Sequence, residues 1–598
     1  MMLRDCIEIF KKIYDEKGER LILDSYELSA GTYRTILVED DAFRVIETVE
    51  IGRTKKDENQ GDGMDPGLYY ELKFYDYHSK LLGTNKAVDT KKAIHSNNYM
   101  AFFVKKNSIA EGKIDGGAMD RYYDTLKDPF IKYKKGNTAD IYREFEGTNG
   151  APDGELIEKI RLFVKSGKCW DDIDCSRKDY LKIFFLLPDK DETETLYRKE
   201  GARYLVPNLY LNNDYNISMQ DRTLGLPGNN MGMNSKKPYL LHKTRMVETP
   251  YLLERETAMM QNLFFDYLLG NVSKGKANIY LGDGGGRPMM ISVSDWETPG
   301  AVSDGYYLRL QKGKNGAEII KADVVTHYSS SMEEPFILKT YVPSGAKPEE
   351  SRLPYGEKIR KLEKLKELID KVFFNGLLRS NFFTDSRDIP AGEAAVKRCM
   401  LESRDTLHSW FYMGNPRNAD RVLEKVSWEL IKSSLSKEDG IYEARRRGNL
   451  RWSLMDYFSG DERMWKSMGD VRTRLREHIN SGEEWVFDDG NELSYAIGQA
   501  VRYLLSKSRA AKLRSDVINP FIRSRNFASI KRRLLQLYER YNYDIYAVKG
   551  NRAHSMMSHI LRAGEDLEMS REMIAAGFMD DPIIYEPKED RKGAEDDE

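Results

Sequence analysis

The chain has 598 residues, a formal net charge of -2, and 40% hydrophobic, 11% aromatic and 32% charged side chains. That length with that apolar content implies several domains with cores of their own, and excludes a peptide-sized or intrinsically unfolded chain. No uninterrupted apolar run approaches the roughly 18 residues of a membrane span, and the charged amphipathic N-terminus is not a signal peptide, so a cytoplasmic protein is expected.

In chain order, Leu3, Ile7, Phe10, Ile13 and Tyr14 fall at helical spacing and Gly18 ends that helix. TYRTILVE, FRVIETVEI and YYELKFYDYHS alternate and read as strands, with TKKDENQGDGMDPG as a polar loop between them. YMAFFVK (99–105) and LKIFFLL (181–187) read as further strands, and short helical pieces occupy 112–154. After Tyr215 comes a long irregular loop, then a helix from Pro250 to about Leu269. ANIYL and PMMISVSDW flank LGDGGGRP as a β-hairpin. Three prolines in YVPSGAKPEESRLPYG mark a domain boundary. From Glu357 to about Ile560 apolar residues recur at helical spacing. The expectation is therefore an α+β protein, a mixed α/β body over 1–345 followed by an all-α bundle. Within the latter, 357–475 reads as a connecting helical region, 476–585 as a basic bundle and 586–598 as an acidic disordered tail.

Signatures of catalysis are missing. There is no Walker A, HExxH or nucleophile elbow, and LGDGGGRP lacks the Lys-Ser/Thr pair of a phosphate loop. Of the eight histidines only His554 and His559 lie close together, and i, i+5 spacing puts them on different helix faces. Cys6, Cys169, Cys175 and Cys399 are too scattered for a disulfide framework. The Cys169/Cys175 pair has the wrong spacing for a zinc knuckle, so no metal or other cofactor is expected.

Two segments stand out instead. The loop Leu226–Arg245 gathers Gly228, Asn229, Asn230, Gly232, Asn234, Lys236, Lys237, His242, Lys243 and Arg245. Glycines admit close approach of a partner, Asn reads base edges, and Lys and Arg anchor phosphates. The bland alternative is a turn-rich loop whose Asn side chains bond their own backbone. The window Asn491–Arg552 holds 13 Lys and Arg against 4 Asp and Glu. Arg502, Arg509, Arg514, Arg523, Arg525, Lys531, Arg532 and Arg533 have almost no acidic partners at i±4, so a polyanion is the expected complement, held by sequence-independent phosphate contact.

SYAIGQAVRYLLSKSRAAK, NPFI and LLQLYERYNYDI, with GLPGNNMGMNSKKPYLLHKTR leading into TPYLLERETAMMQNLFFDYLL and the N-terminal MLRDCIEIFKKIYDEKGERLILDSY, resemble the large subunit of the type I-B CRISPR surveillance complex, Cascade. The resemblance implies a non-catalytic subunit that recognises the protospacer-adjacent motif in double-stranded target DNA, stabilises the R-loop and recruits the helicase-nuclease in antiviral defence. Its implied partners are the guide RNA, the backbone, guide-5′-end and small subunits, and that helicase-nuclease. Such a division leaves sequence reading to base pairing. Carried over, Asn229, Asn230, Asn234, Lys236 and Lys237 would read the DNA motif, with Lys243, Arg245 and the bundle's cations on the nucleic-acid backbone. Relatives with a four-cysteine zinc element differ from this chain in that respect. Relatives of this type can also yield a small subunit by internal translation of the C-terminal helical region, for which Met455, Met464 and Met468 would be the candidate starts. The rival reading is a metal-dependent nuclease or nucleotidyl transferase acting on nucleic acid, and a third is an RNA-binding scaffold outside CRISPR defence.

Overall fold

The computed structural model describes residues 2–40, 42–52, 64–83, 86–219, 222–228, 244, 246, 251–283, 286–313, 316–343, 353–390, 392–481, 484–508, 515–524, 526–541, 551–564 and 567–587. The chain divides into two compact units, Met1–Ser294 with Ser303–Val324, and Asp295–Val302 with Val325–Glu598. The α+β expectation holds, because every strand precedes Leu362 and the described residues beyond it form only helices and their connections.

In the first unit, β1 (Gly31–Val38) and β2 (Phe43–Ile51) pair antiparallel, with a bulge at Thr35/Ile36. β3 (Ala101–Lys105) and β4 (Tyr180–Leu186) complete a sheet of order β2-β1-β4-β3, with β4 parallel to β1. The central strands are covered on both faces, which is why they read as near-continuous apolar runs. α1 (Met2–Lys17) buries Cys6, Ile7, Phe10 and Ile13 and stops at Gly18, whose φ of 64° suits glycine; α2 (Arg20–Leu23) follows.

One expected strand is a helix. YYELKFYDYHS lies in α3 (Pro66–Tyr77), where Asp65 caps the helix through Leu68 N–H at 2.8 Å and Pro66 opens it. Five consecutive residues, Leu72–Asp76, are buried, so the helix carries no one-sided stripe and its aromatics mimic alternation. α4 (Lys106–Ala110), α5 (Gly116–Lys127), α6 (Asn137–Asn149), α7 (Gly154–Lys165) and α8 (Lys190–Leu205) complete this half around Tyr33, Phe102, Tyr122, Phe184 and Tyr197.

A small sheet of β5 (Ile217–Met219), β6 (Arg222–Gly225) and β7 (Leu253–Glu254) follows, then α9 (Arg255–Ser273), which starts five residues after the expected Pro250. The expected hairpin is present as β8 (Asn278–Asp283) and β9 (Pro288–Val293), joined by β10 (Ala301–Gly313) and β11 (Gly316–Ser329) in the order β11-β10-β8-β9. α1 and α9 share a second core of this unit with β8 and β10, in which the Phe10 and Phe264 rings lie 5.2 Å apart.

The second unit opens on β12 (Ser331–Ile337) and β13 (Lys358–Lys361), with the proline-rich 341–356 stretch inside it, and continues through α10 (Leu362–Phe373) and α11 (Ala394–Met413). α12 (Ala419–Leu435), α13 (Ile441–Ser459), α14 (Arg463–Ser481) and α15 (Gly490–Ser506) lead to α16 (Asn519–Arg523), α17 (Phe527–Tyr541), α18 (Arg552–Arg562) and α19 (Arg571–Met579). α15 is its axis, burying Leu493–Val501 without a break. It packs against α19 at backbone distance. A Cβ on Gly498 would fall on the Ile574 carbonyl, and one on Gly577 on the Tyr495 carbonyl. No helix among the described residues is long and apolar enough to cross a membrane.

Candidate nucleic-acid interface

The expected motif-reading loop is framed by the first unit's small sheet. β6 pairs with β7 through Leu224↔Glu254 and Gly225↔Leu253, so the excursion over 226–252 leaves and returns at neighbouring positions. Its root is fastened twice to the preceding segment: Leu211 N–H donates to the Leu226 carbonyl at 2.8 Å, and Gly228 N–H to that of Leu209 at 2.9 Å. Gly225 allows the close fit, since a Cβ there would meet the Tyr210 ring, and the Tyr210 hydroxyl donates to the Leu253 carbonyl at 3.0 Å. Asn229, Asn230, Asn234, Lys236, Lys237, Lys243 and Arg245 lie outside the described residues.

In the second unit the basic window divides by environment. Arg509, Arg514 and Arg525 lie outside the described residues. Arg502 on α15 is half-buried with its guanidinium 6.0 Å from the Phe578 ring, and burial, then the charge of Arg445, hold it below the ordinary arginine range. Lys531 donates to the Ala563 carbonyl at 2.6 Å and stands 4.6 Å over Phe527, a position that staples α17 to the end of α18. Arg523, Arg532 and Arg533 are exposed and make no ion pair among the described residues. α17 turns Phe527, Ile530, Leu534 and Leu537 inward, which leaves Arg533, Gln536 and Arg540 as an outward stripe.

Arg523 and Arg533 share a pocket of about 280 Å³ with Asn519, Pro520 and Ser524. Arg523 also lines a neighbouring cleft of about 1490 Å³ with Arg421, Trp428, Phe527, Glu568 and Arg571. On its wall the Trp428 ring has two guanidiniums, Arg451 and Arg571, each 5.1 Å from its centre. The charges of this cleft are mixed: Arg571 pairs with Glu424 at 3.3 Å, and Lys432 with Glu429. The geometry therefore offers anchorage for phosphate on α16 and α17, while the Trp428 ring beside it is itself buried.

Sequence reasoning missed Arg421, Trp428 and Arg571, which come from helices far apart in the chain and carry no local signal. It also gave no reason to separate the RRRGNLR run of α13 from the bundle's other cations, yet Arg445, Arg447 and Arg451 are wholly buried. Arg451 binds Glu572 at 2.7 Å, and the Trp452 indole donates to the same carboxylate at 2.9 Å. Comparison of the chain with protein-family models, with curated proteins and with solved structures gave no match.

Proposed function

We propose that this chain is the non-catalytic large subunit of a type I-B CRISPR RNA-guided surveillance complex. It would recognise the protospacer-adjacent motif, stabilise the R-loop and recruit the helicase-nuclease in antiviral defence. The observation that carries the nucleic-acid part is the unpaired exposed arginine set, Arg523, Arg532 and Arg533, in a chain whose net charge is only -2. Like charges grouped in this way attract a polyanion and gain from its binding. The CRISPR part is supported by the sequence resemblance, and by a loop rooted between two paired strands, a way to present a variable reading element on a fixed base.

The test is a tagged pull-down from native cells, with bound RNA sequenced and proteins resolved by size. Repeat-spacer RNAs with a ladder of partner subunits are the expected result. A lone protein without RNA, turning over nucleic acid only with a divalent metal, would replace this reading with the nuclease or nucleotidyl transferase.

A further inference from the structure

Beneath the root of the 226–252 excursion lie two lysines that no carboxylate among the described residues neutralises. Lys86 Nζ donates to the carbonyl of Asn208 and, at 3.3 Å, to that of Tyr210. Lys132 Nζ donates to the carbonyl of Lys86 at 3.1 Å and to that of Ala87. The carbonyls of Asn208 and Tyr210 belong to the segment that holds the loop, since Tyr210 bridges to Pro227. A Cβ built on Gly228 would stand 3.8 Å from the Lys86 ammonium.

Two more cations follow directly, Lys134 and Lys135, both exposed and without an ion pair among the described residues. The residues after them are tied to the same segment: Asn137 Nδ2 donates to the Asn213 carbonyl at 2.9 Å, and Asn213 Nδ2 to Thr138 Oγ1 at 2.7 Å. The charged neighbours across α8 are Glu200 and Arg203, which satisfy each other at 2.7 Å. Tyr133 and Tyr204 face Lys132 as neutral phenols, both raised by burial. Each ammonium thus spends two of its three protons on carbonyl dipoles and meets no anion among the described residues. Burial lowers both lysines to about 8, and the charge of Lys132 adds to the effect on Lys86.

We propose that Lys86, Lys132, Lys134 and Lys135 form a phosphate-binding site at the foot of the loop, and that the group it takes is a backbone phosphodiester of duplex DNA. This rests on the proposed function, which supplies the duplex. A phosphate there accepts the remaining ammonium protons and relieves the repulsion between the two half-buried cations. It needs both lysines charged, so its affinity is full below pH 8 and falls as pH rises through 8. A site made of ordinary surface lysines, with pKa near 10.4, holds its affinity over that range.

The experiment uses the full chain and a fluorescent duplex of about 20 base pairs at about 0.1 M salt, read by anisotropy at pH 7 and pH 9. Wild type loses affinity about tenfold between the two pH values, while Lys86→Met with Lys132→Met binds about tenfold more weakly at pH 7 and loses the pH dependence. Lys134→Ala with Lys135→Ala, at exposed positions where folding is unaffected, binds about threefold more weakly and keeps the pH dependence. A parallel arm titrates inorganic phosphate and follows its phosphorus NMR line width. Duplex binding equal at both pH values overturns the site and leaves the proposed function standing. Phosphate binding with the pH dependence, but no duplex binding, overturns the DNA source and with it the proposed function. Failure of both arms overturns both.

Discussion

At the scale of single residues, the same cation does opposite work according to what surrounds it. Arg532 and Arg533 face water without partners, whereas Arg447, fully buried, pairs with Glu443 at 2.9 Å and donates to the Leu430 carbonyl at 3.0 Å. Lys366 is the sharpest case. It is wholly buried, its ammonium reaches only the Asp295 carbonyl at 3.0 Å and the Tyr412 hydroxyl at 3.1 Å, and burial lowers it to about 8. A lysine whose folded pKa lies below its unfolded value binds fewer protons when folded, so it destabilises the fold at low pH, and that penalty fades as pH rises from 8 towards 10.5. Between pH 7 and 9.5, wild type should therefore gain roughly 1–2 kcal/mol of unfolding free energy relative to Lys366→Met. Urea titrations followed by tryptophan fluorescence read this directly, because Trp296, Trp410, Trp428, Trp452, Trp465 and Trp485 all belong to the second unit. A difference that stays constant with pH would mean that Lys366 is solvated in the folded state.

At the scale of elements, legibility followed the solvent. α1 has one covered and one wet side, and its period could be read directly. α3, covered nearly all round, could not; only its Asp65 cap and Pro66 betray it. The same logic governs α15 and α19, whose contact depends on what is absent. Gly498→Ala places a methyl against the Ile574 carbonyl and the Phe578 amide, both main chain, so the helices must part. The expected cost is roughly 1–3 kcal/mol or more, read as an earlier urea midpoint; an unchanged midpoint would show that the pair can slide.

α17 gives the complementary prediction at its outer face. If Arg532 and Arg533 each neutralise a phosphate, replacing both by Ala lowers the slope of log affinity against log salt by about 1.5–2 and weakens all sequences alike. An unchanged slope would remove α17 from the nucleic-acid path. The charge contrast behind this prediction was visible in the chain, whereas Lys86 and Lys132 were not. They stand 46 positions apart in the chain, and only folding brings the Lys132 ammonium onto the Lys86 carbonyl.

At the scale of the molecule, the question is whether the basic bundle stands by itself, as a small subunit made from an internal start would have to. Its core is continuous with residues upstream: Tyr341, Trp428, Ile431, Leu435, Ile441 and Trp452 pack in one cluster with Leu493, Ile497, Leu534 and Phe578. Polar wiring repeats the pattern. α13 reaches the C-terminal segment through Arg445, which donates to the Met579 carbonyl and Asp581, and through Arg451 and Trp452 on Glu572. A start at Met468 removes all of these and cuts α14 inside its second turn, and of the arginines bound to this segment it keeps Arg472, which holds Asp580 at 2.7 Å. Glu572 and Asp581 remain, without Arg451 and Arg445, on a segment that has lost an apolar wall. A fragment spanning 468–598 should therefore show helical far-UV dichroism without a cooperative thermal transition, while one spanning 295–598 melts cooperatively. Addition of a separate 325–467 fragment should restore the transition, since it returns both the apolar wall and the arginines. A sharp melt of 468–598 alone would mean that α14–α19 close their own core, and that the contacts of α13 serve only to orient them.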